Sequence, residues 1–280
     1  MQATPKPSLS VSQLVEHIKS SRCFRHPMFE HWAAVQPPPR VLGALFHQIR
    51  CFCDSTRPGG KMPEALARHG LSQQSRLLEE IVASEANHGP ELATMAGHIL
   101  NRAAGKTICP DLYDQAAVEA ELQRCSDELL GELPGYDRTS GLTLQCRAAR
   151  AVFARRQRTD RATTFKNLGT ALALELISNR HLIPGEKRAL VDSGLYGVAM
   201  TEPEMHYLEE HWGEVGAEAQ HEKNAFAAVE SVLDAETAPL LLAGADEFLR
   251  ALASLWDVLD ASLLQSGFIT EDQAHPAGAA

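Results

Sequence analysis

The side chains of this chain with the clearest capacity for chemistry are glutamates and histidines repeated at helical spacing. Three stretches carry them. The first, SRLLEEIVASEANHGPELATMAGHIL, holds Glu85 and His88; the second, ATTFKNLGTALALELISNRHL, holds Glu175. The third, TEPEMHYLEEHWGEVGAEAQHEKNAFAAVESVLD, holds His211, Glu214, Glu218 and His221. Carboxylate oxygens and imidazole nitrogens together favour hard to borderline divalent cations, ferrous iron or manganese before thiolate-loving metals.

Their placement predicts burial. At 100° per residue, with Glu85 at 0°, His88 falls at about −60°, among Leu77, Leu78, Ile81, Leu92, Met95 and Ile99. Glu79 and Glu80 point away. Glu175 shares its face with Leu168, Ala171, Leu172 and Leu182, and no lysine or arginine stands three or four residues from it. A buried carboxylate costs several kcal/mol unless it is paired, protonated or bound to a cation. In the third stretch, with His211 at 0°, Glu214, Glu218 and His221 lie at about −60°, −20° and −80°, beside an apolar stripe. That stripe is Met205, Leu208, Trp212, Val215, Phe226, Val229 and Leu233.

The elements that must position these groups are all helical. Apolar periodicity predicts helices over about 10–20, 26–35, 40–54, 72–103, 114–131, 141–159, 162–181, 185–193, 203–234 and 237–265, with no alternating strand. Thr201 reads as the N-cap of the third stretch, with Pro203 in its first turn. Breaks are signalled at Pro37-Pro38-Pro39, Pro58-Gly59-Gly60, Leu133-Pro134-Gly135 and Pro184-Gly185. The reading is an all-α single domain over 1–270, with 105–140 as an outer insertion free of buried polar groups. Residues 1–8 read as loose and 271–280 as a disordered tail. The basic run Arg155, Arg156, Arg158, Arg161 reads as a solvated face or, alternatively, as a source of a carboxylate-binding arginine. His181 reads as a surface or capping imidazole, and His206 as exposed. His17, His26, His31, His47, His69, His98 and His275 have no matched acid at ligand spacing and read as structural or solvent-facing.

Composition bounds the partners. A net charge of −10 without a basic cluster argues against nucleic acid. The opening MQATPKPSLS lacks an apolar signal core, and no apolar run approaches a membrane span. Six cysteines without a CxxC pair suit reduced thiols, and the expected location is cytoplasmic.

E-x-x-H on one helix, a lone interior Glu on a second and an acid/His stripe on a third resemble, in this order, the heme-oxygenase-like diiron oxidases. The resemblance covers about residues 29–264, outside the insertion. It implies a heme-oxygenase-like seven-helix bundle holding two Fe(II) ions, with manganese as an alternative. Glu85, His88, Glu175 and a His-x-x-x-Asp/Glu-x-x-His motif would be the ligands. Here Glu218 and His221 match the end of that motif, but Glu214 stands where its first histidine belongs. His211 lies three residues earlier, about 15 Å from His221 along an intact helix, too far for a shared centre. Either Glu214 is the ligand, or the helix is distorted at Gly213 and Gly216 and His211 is recruited. Both leave a weak second iron site.

The implied activity is O2-dependent oxidation of a small amino-acid-derived substrate, by N-oxygenation or oxidative C–C cleavage, in natural-product biosynthesis. Arg180, Arg161 or Lys166 would hold a substrate carboxylate; an external electron donor and a homodimer remain open. The alternatives are a metal-independent, thiaminase-II-like enzyme using a thiol such as Cys146, or a non-enzymatic helical binding protein.

Overall fold

The computed structural model describes residues 9–57, 59–85, 88–213 and 215–265, so the expectations for 1–8 and 271–280 lie outside the described residues. Thirteen α-helices are described: α1 Val11–Lys19, α2 Met28–Ala34, α3 Pro39–Thr56, α4 Lys61–Arg68, α5 Ser72–Ser84, α6 His88–Ala104, α7 Gln115–Leu130, α8 Leu144–Ala154, α9 Arg161–Ile177, α10 Ile183–Lys187, α11 His206–His211, α12 Ala217–Glu230 and α13 Ala238–Gln265. The described chain has no strand; a single bridge joins Asp137 and Leu142. None of these helices is long and apolar enough to cross a membrane.

Helices α9 and α13 form the spine. Their backbones approach because both are glycine at the crossing: a β-carbon on Gly169 would lie 2.0 Å from the Leu241 carbonyl oxygen, and one on Gly244 1.9 Å from that of Lys166. The Thr170 hydroxyl donates to the Gly244 carbonyl at 2.8 Å, satisfying its own buried oxygen. With both faces covered, α9 is buried over nearly all its length, which is why its sequence is small and apolar almost all round.

The structure departs from the predicted elements where local chemistry overrides periodicity. The predicted helix 72–103 is two helices, α5 ending at Ser84 and α6 starting at His88. Pro90 therefore stands in a first turn, where its missing N–H has no intrahelical partner to lose, and does not kink a helix interior. Helix α4 was not predicted. The break expected at Pro184 is also absent: α9 continues through π-turns at Ser178–Leu182 and Arg188–Asp192 on either side of α10. The Ile183 N–H reaches back to the Ser178 carbonyl, and the wider turn accommodates a proline that cannot donate.

The predicted helix 203–234 is divided as well. A 3₁₀ turn at Pro203–Met205, capped at Glu202 and not Thr201, leads into α11, and α12 begins only at Ala217. Trp212 and Val215 consequently leave the apolar stripe: Val215 is wholly exposed, and Trp212 lies under the Lys187 ammonium at 4.9 Å.

Polar groups also find partners that spacing does not reveal. Helix α7 packs along α3, and its Ser126 is buried against Gln48 (2.9 Å), which also donates to the Gly141 carbonyl, so the 105–140 stretch does contribute to a buried polar network. The N-terminal segment is strapped to α13 by His17–Asp246, His26–Asp257 and His31–Asp260 at 2.8, 3.2 and 2.6 Å. His181 is not a surface group; its ring packs on Phe29 and Trp256.

Gly244→Ala is expected to destabilise the protein by about 1–3 kcal/mol, the usual range for overpacking a tight contact. Urea unfolding would measure this, and an exposed change such as Arg250→Ala serves as the control.

Candidate metal centre

The carboxylates arrive from three helices. Glu175 lies near the end of α9, Glu85 caps the C-terminus of α5, and Glu218 occupies the first turn of α12 with His221 one turn on. The helix dipole favours an ionised Glu218 at an N-terminus and opposes one at Glu85, at a C-terminus. His211 closes α11. Gly213, with φ of +94°, and Gly216 make the reversal between α11 and α12. A β-carbon on Gly216 would lie 2.7 Å from the carbonyl oxygens of both His211 and Trp212. This turn folds the His211 end of the chain back, so that Nε2 is 3.9 Å from Glu218 Oε1.

His221 sits at the centre. Its Nδ1 lies 3.4 Å from Glu85 Oε1, 3.6 Å from Glu175 Oε2 and 4.0 Å from Glu218 Oε2. Ligand atoms of Glu85, Glu218 and His221 all fall within 4.8 Å of one another. Donors each about 2.1 Å from one cation are about 3.0 Å apart when adjacent and about 4.2 Å when opposite, and the three separations from His221 Nδ1 fall in that interval. Glu218 faces both imidazoles, Oε1 toward His211 and Oε2 toward His221.

The outer nitrogens bear on the tautomers. The Ser84 hydroxyl lies 3.0 Å from the Ile81 carbonyl oxygen and 2.5 Å from His221 Nε2. With the serine hydroxyl on the Ile81 carbonyl, a neutral His221 carries its proton on Nε2 and turns the Nδ1 lone pair toward the carboxylates; with the hydroxyl on Nε2, the proton sits on Nδ1 among them. In His211, Nδ1 lies 2.6 Å from the Tyr207 carbonyl, which can only accept, so neutral His211 turns its Nε2 lone pair toward Glu218. With His221 in the first of these forms, both rings present acceptors to acceptors. An acceptor set of this kind is stable only with protons or a cation between its members.

Protonation supplies part of the answer in the metal-free chain. Burial, then the neighbouring Glu85, raises the Glu175 carboxyl to about 8, with Arg156 opposing. Burial followed by Glu175, Glu85 and Glu186 pushes Glu218 well up. Glu218 Oε2 is buried and accepts no hydrogen bond from any described residue. The carboxylate and imidazole donor set fits iron or manganese. Cys53 also lines the cavity, but burial holds its thiol well above the usual range and so protonated.

Other predicted residues lie elsewhere. The side chain of His88 and all of Glu214 lie outside the described residues. Arg180 pairs with Glu222, and Arg161 stacks on Phe165 beside Glu236. Neither they nor Lys166 lines the cavity of about 50 Å³ beside the cluster. The Cys146 thiol is fully buried against the Gln48 carbonyl and does not line it either.

Sequence reasoning missed three contributors. Arg156, from the supposedly solvated basic run, is buried; it donates to the Thr56 and Arg57 carbonyls at 2.6 and 3.1 Å. Ser84, one residue before Glu85, orients His221. Glu186 is a further interior acid, held between the two π-turns, whose charge is felt at Cys53, Tyr207 and Glu218. A lone acid in the apolar run LIPGEKRALV was the available signal, obscured by reading Pro184-Gly185 as a loop.

Burial alone raises the Glu186 carboxyl from 4.5 to about 8. The folded chain therefore holds a proton there that the unfolded chain releases above about pH 4.5. The resulting stability is complete below that pH and is lost as pH rises through about 8. In chelator-treated protein, Glu186→Gln is expected to flatten the decline in urea stability between about pH 5 and about pH 8.5 by a few kcal/mol.

Compared with protein-family models, curated proteins and solved structures, the chain matches none, so the site is interpreted from its own donors.

Proposed function

We infer that the cluster binds a pair of ferrous ions and that the protein is a non-heme diiron oxygenase or oxidase acting on a small amino-acid-derived molecule. The observation that carries this reading is the pair of oriented histidines. Ser84 and the Tyr207 carbonyl hold the outer nitrogens of His221 and His211, leaving both inner nitrogens to face buried carboxylates. The same outer acceptors would also serve a buried imidazolium, whereas a histidine that ligates through its inner nitrogen requires them. Metal-ligating histidines characteristically have them.

Glu85, Glu175, Glu218 and His221 would furnish one position; Glu218, through its other oxygen, and His211 would begin a second. Among the described residues the second position has fewer donors. Bound ferrous ions would supply the electrons for dioxygen activation. The protein's own part is to hold the ligands before metal arrives, exclude bulk water from the cavity and keep interior acids protonated until a cation replaces the proton. The finer fold assignment, a heme-oxygenase-like seven-helix bundle, belongs to the same proposal and is supported by the all-helical architecture and the order of the ligand-bearing helices.

Anaerobic titration with Fe(II), followed by metal analysis after desalting, is expected to give up to two equivalents per chain, and the loaded protein to consume oxygen on mixing. Glu175→Ala should lose tight binding. Ser84→Ala, which removes only the partner of the outer, non-ligating His221 Nε2, should weaken metal affinity by about 10–100-fold. Failure of the folded wild type to retain Fe(II), Mn(II) or Co(II) would exclude a metal centre.

A further inference from the structure

The end of α3 bears on the substrate. Arg57 follows the last residue of that helix, and its side chain lines the same cavity as Glu85, Glu175 and Glu218. Two features show that its position is constructed. From behind, the buried Arg156 guanidinium holds the carbonyls of Thr56 and Arg57, terminating α3 with the favourable sign at its negative end. In front, the Arg57 head lies against Gly89, where a β-carbon would come within 2.7 Å of Nη2. A β-carbon there would oblige the guanidinium to shift, in the first turn of the helix that starts with His88.

The exposure of the lining residues gives the cavity a direction. The side chains of Arg57 and Asp54 are 33% and 41% exposed, that of Glu85 18%, and those of Glu175 and Glu218 8% each. The cation is thus at the mouth and the acids are at the depth. Arg57 and Arg50 are the only arginines or lysines on the lining among the described residues. Arg50 is engaged by Glu119, whereas among the described residues Arg57 pairs with Asp54 on its own turn. Such a short-range, half-exposed pair is worth little, and an incoming carboxylate can displace an acid that swings into water. A guanidinium can then receive that carboxylate through two parallel N–H donors.

We propose that Arg57 is the specificity residue of this cavity and that it selects substrates bearing a carboxylate, held at the mouth with the uncharged end directed to the acid and histidine cluster. This rests on the cavity being the reaction site, and it replaces Arg180, Arg161 and Lys166 in that role. Asp54 is a competitor occupying Arg57 when no substrate is bound.

Acetate and acetamide, equal in shape but not in charge, test this by saturation-transfer NMR on the full-length protein. Both would be measured with the protein metal-loaded and metal-free. The expected result is that acetate binds in preference to acetamide, and that Arg57→Gln weakens acetate by at least about tenfold, the effect of losing one charge-assisted contact. Asp54→Asn should tighten acetate several-fold, an opposite sign that misfolding does not produce. The proposal is overturned if acetate does not bind, if acetamide binds equally, if Arg57→Gln leaves acetate unchanged, or if Asp54→Asn fails to tighten it. Metal retention, measured separately, decides the diiron reading; the metal-free acetate series decides Arg57 whichever way that falls.

Discussion

Everything in this molecule is arranged around a set of oxygen and nitrogen lone pairs brought together where water cannot screen them. Glu85, Glu175 and Glu218 stand around one edge of His221, and with the Ser84 hydroxyl on the Ile81 carbonyl that edge carries no proton in the neutral ring. In an interior of low polarizability the mutual repulsion of such groups is far stronger than at a surface. The fold has to hold them against it, and the helices that bring them in are accordingly well anchored. Helix α9 lies in glycine-to-backbone contact with α13, and α12 packs between α5 and α9. Asn224, one turn beyond His221, ties α12 to Glu80 on α5 at 2.9 Å.

The chemistry follows from how that repulsion is relieved. Protons relieve it in the metal-free chain, which is the physical meaning of carboxyls shifted upward at Glu175 and Glu218. Divalent cations would relieve it more completely and would release those protons. On that reading the same groups would serve two states: a neutral interior that is stable alone, and an ionised ligand set that is stable only when filled. Cys53 and Tyr207 share the desolvated surroundings and are kept in their neutral forms by them.

Much of this was legible in the sequence because the relevant signals are local. A single acid in an otherwise apolar helix predicts an interior carboxylate, and Glu175 is one. The separation of outward Glu79 and Glu80 from inward Ile81 follows from 100° geometry. Gly213 and Gly216 signalled a distortion in the third stretch, and the reversal is there, with His211 drawn to Glu218. What periodicity could not supply was contact between distant segments. The acids that pair with His17, His26 and His31 are more than two hundred residues away on α13, and no spacing rule connects them. Arg156 looked like one of several solvated arginines because its partners are backbone carbonyls, which sequence does not distinguish. Pro184 read as a break because a π-turn, which lets a helix absorb a proline, has no compositional signature of its own.

The turn between α11 and α12 has a mechanical consequence. Glu218 and His221 ride on a fourteen-residue helix buried against two others, whereas His211 hangs from a six-residue helix attached through two glycines. The two ends of the donor set therefore differ in how they are carried: one on a long helix, the other on a short one joined to it by a turn. On the proposed reading, a first cation would meet donors carried on one well-packed helix, and a second would need His211 from across the two-glycine turn. The two positions would then fill one after the other.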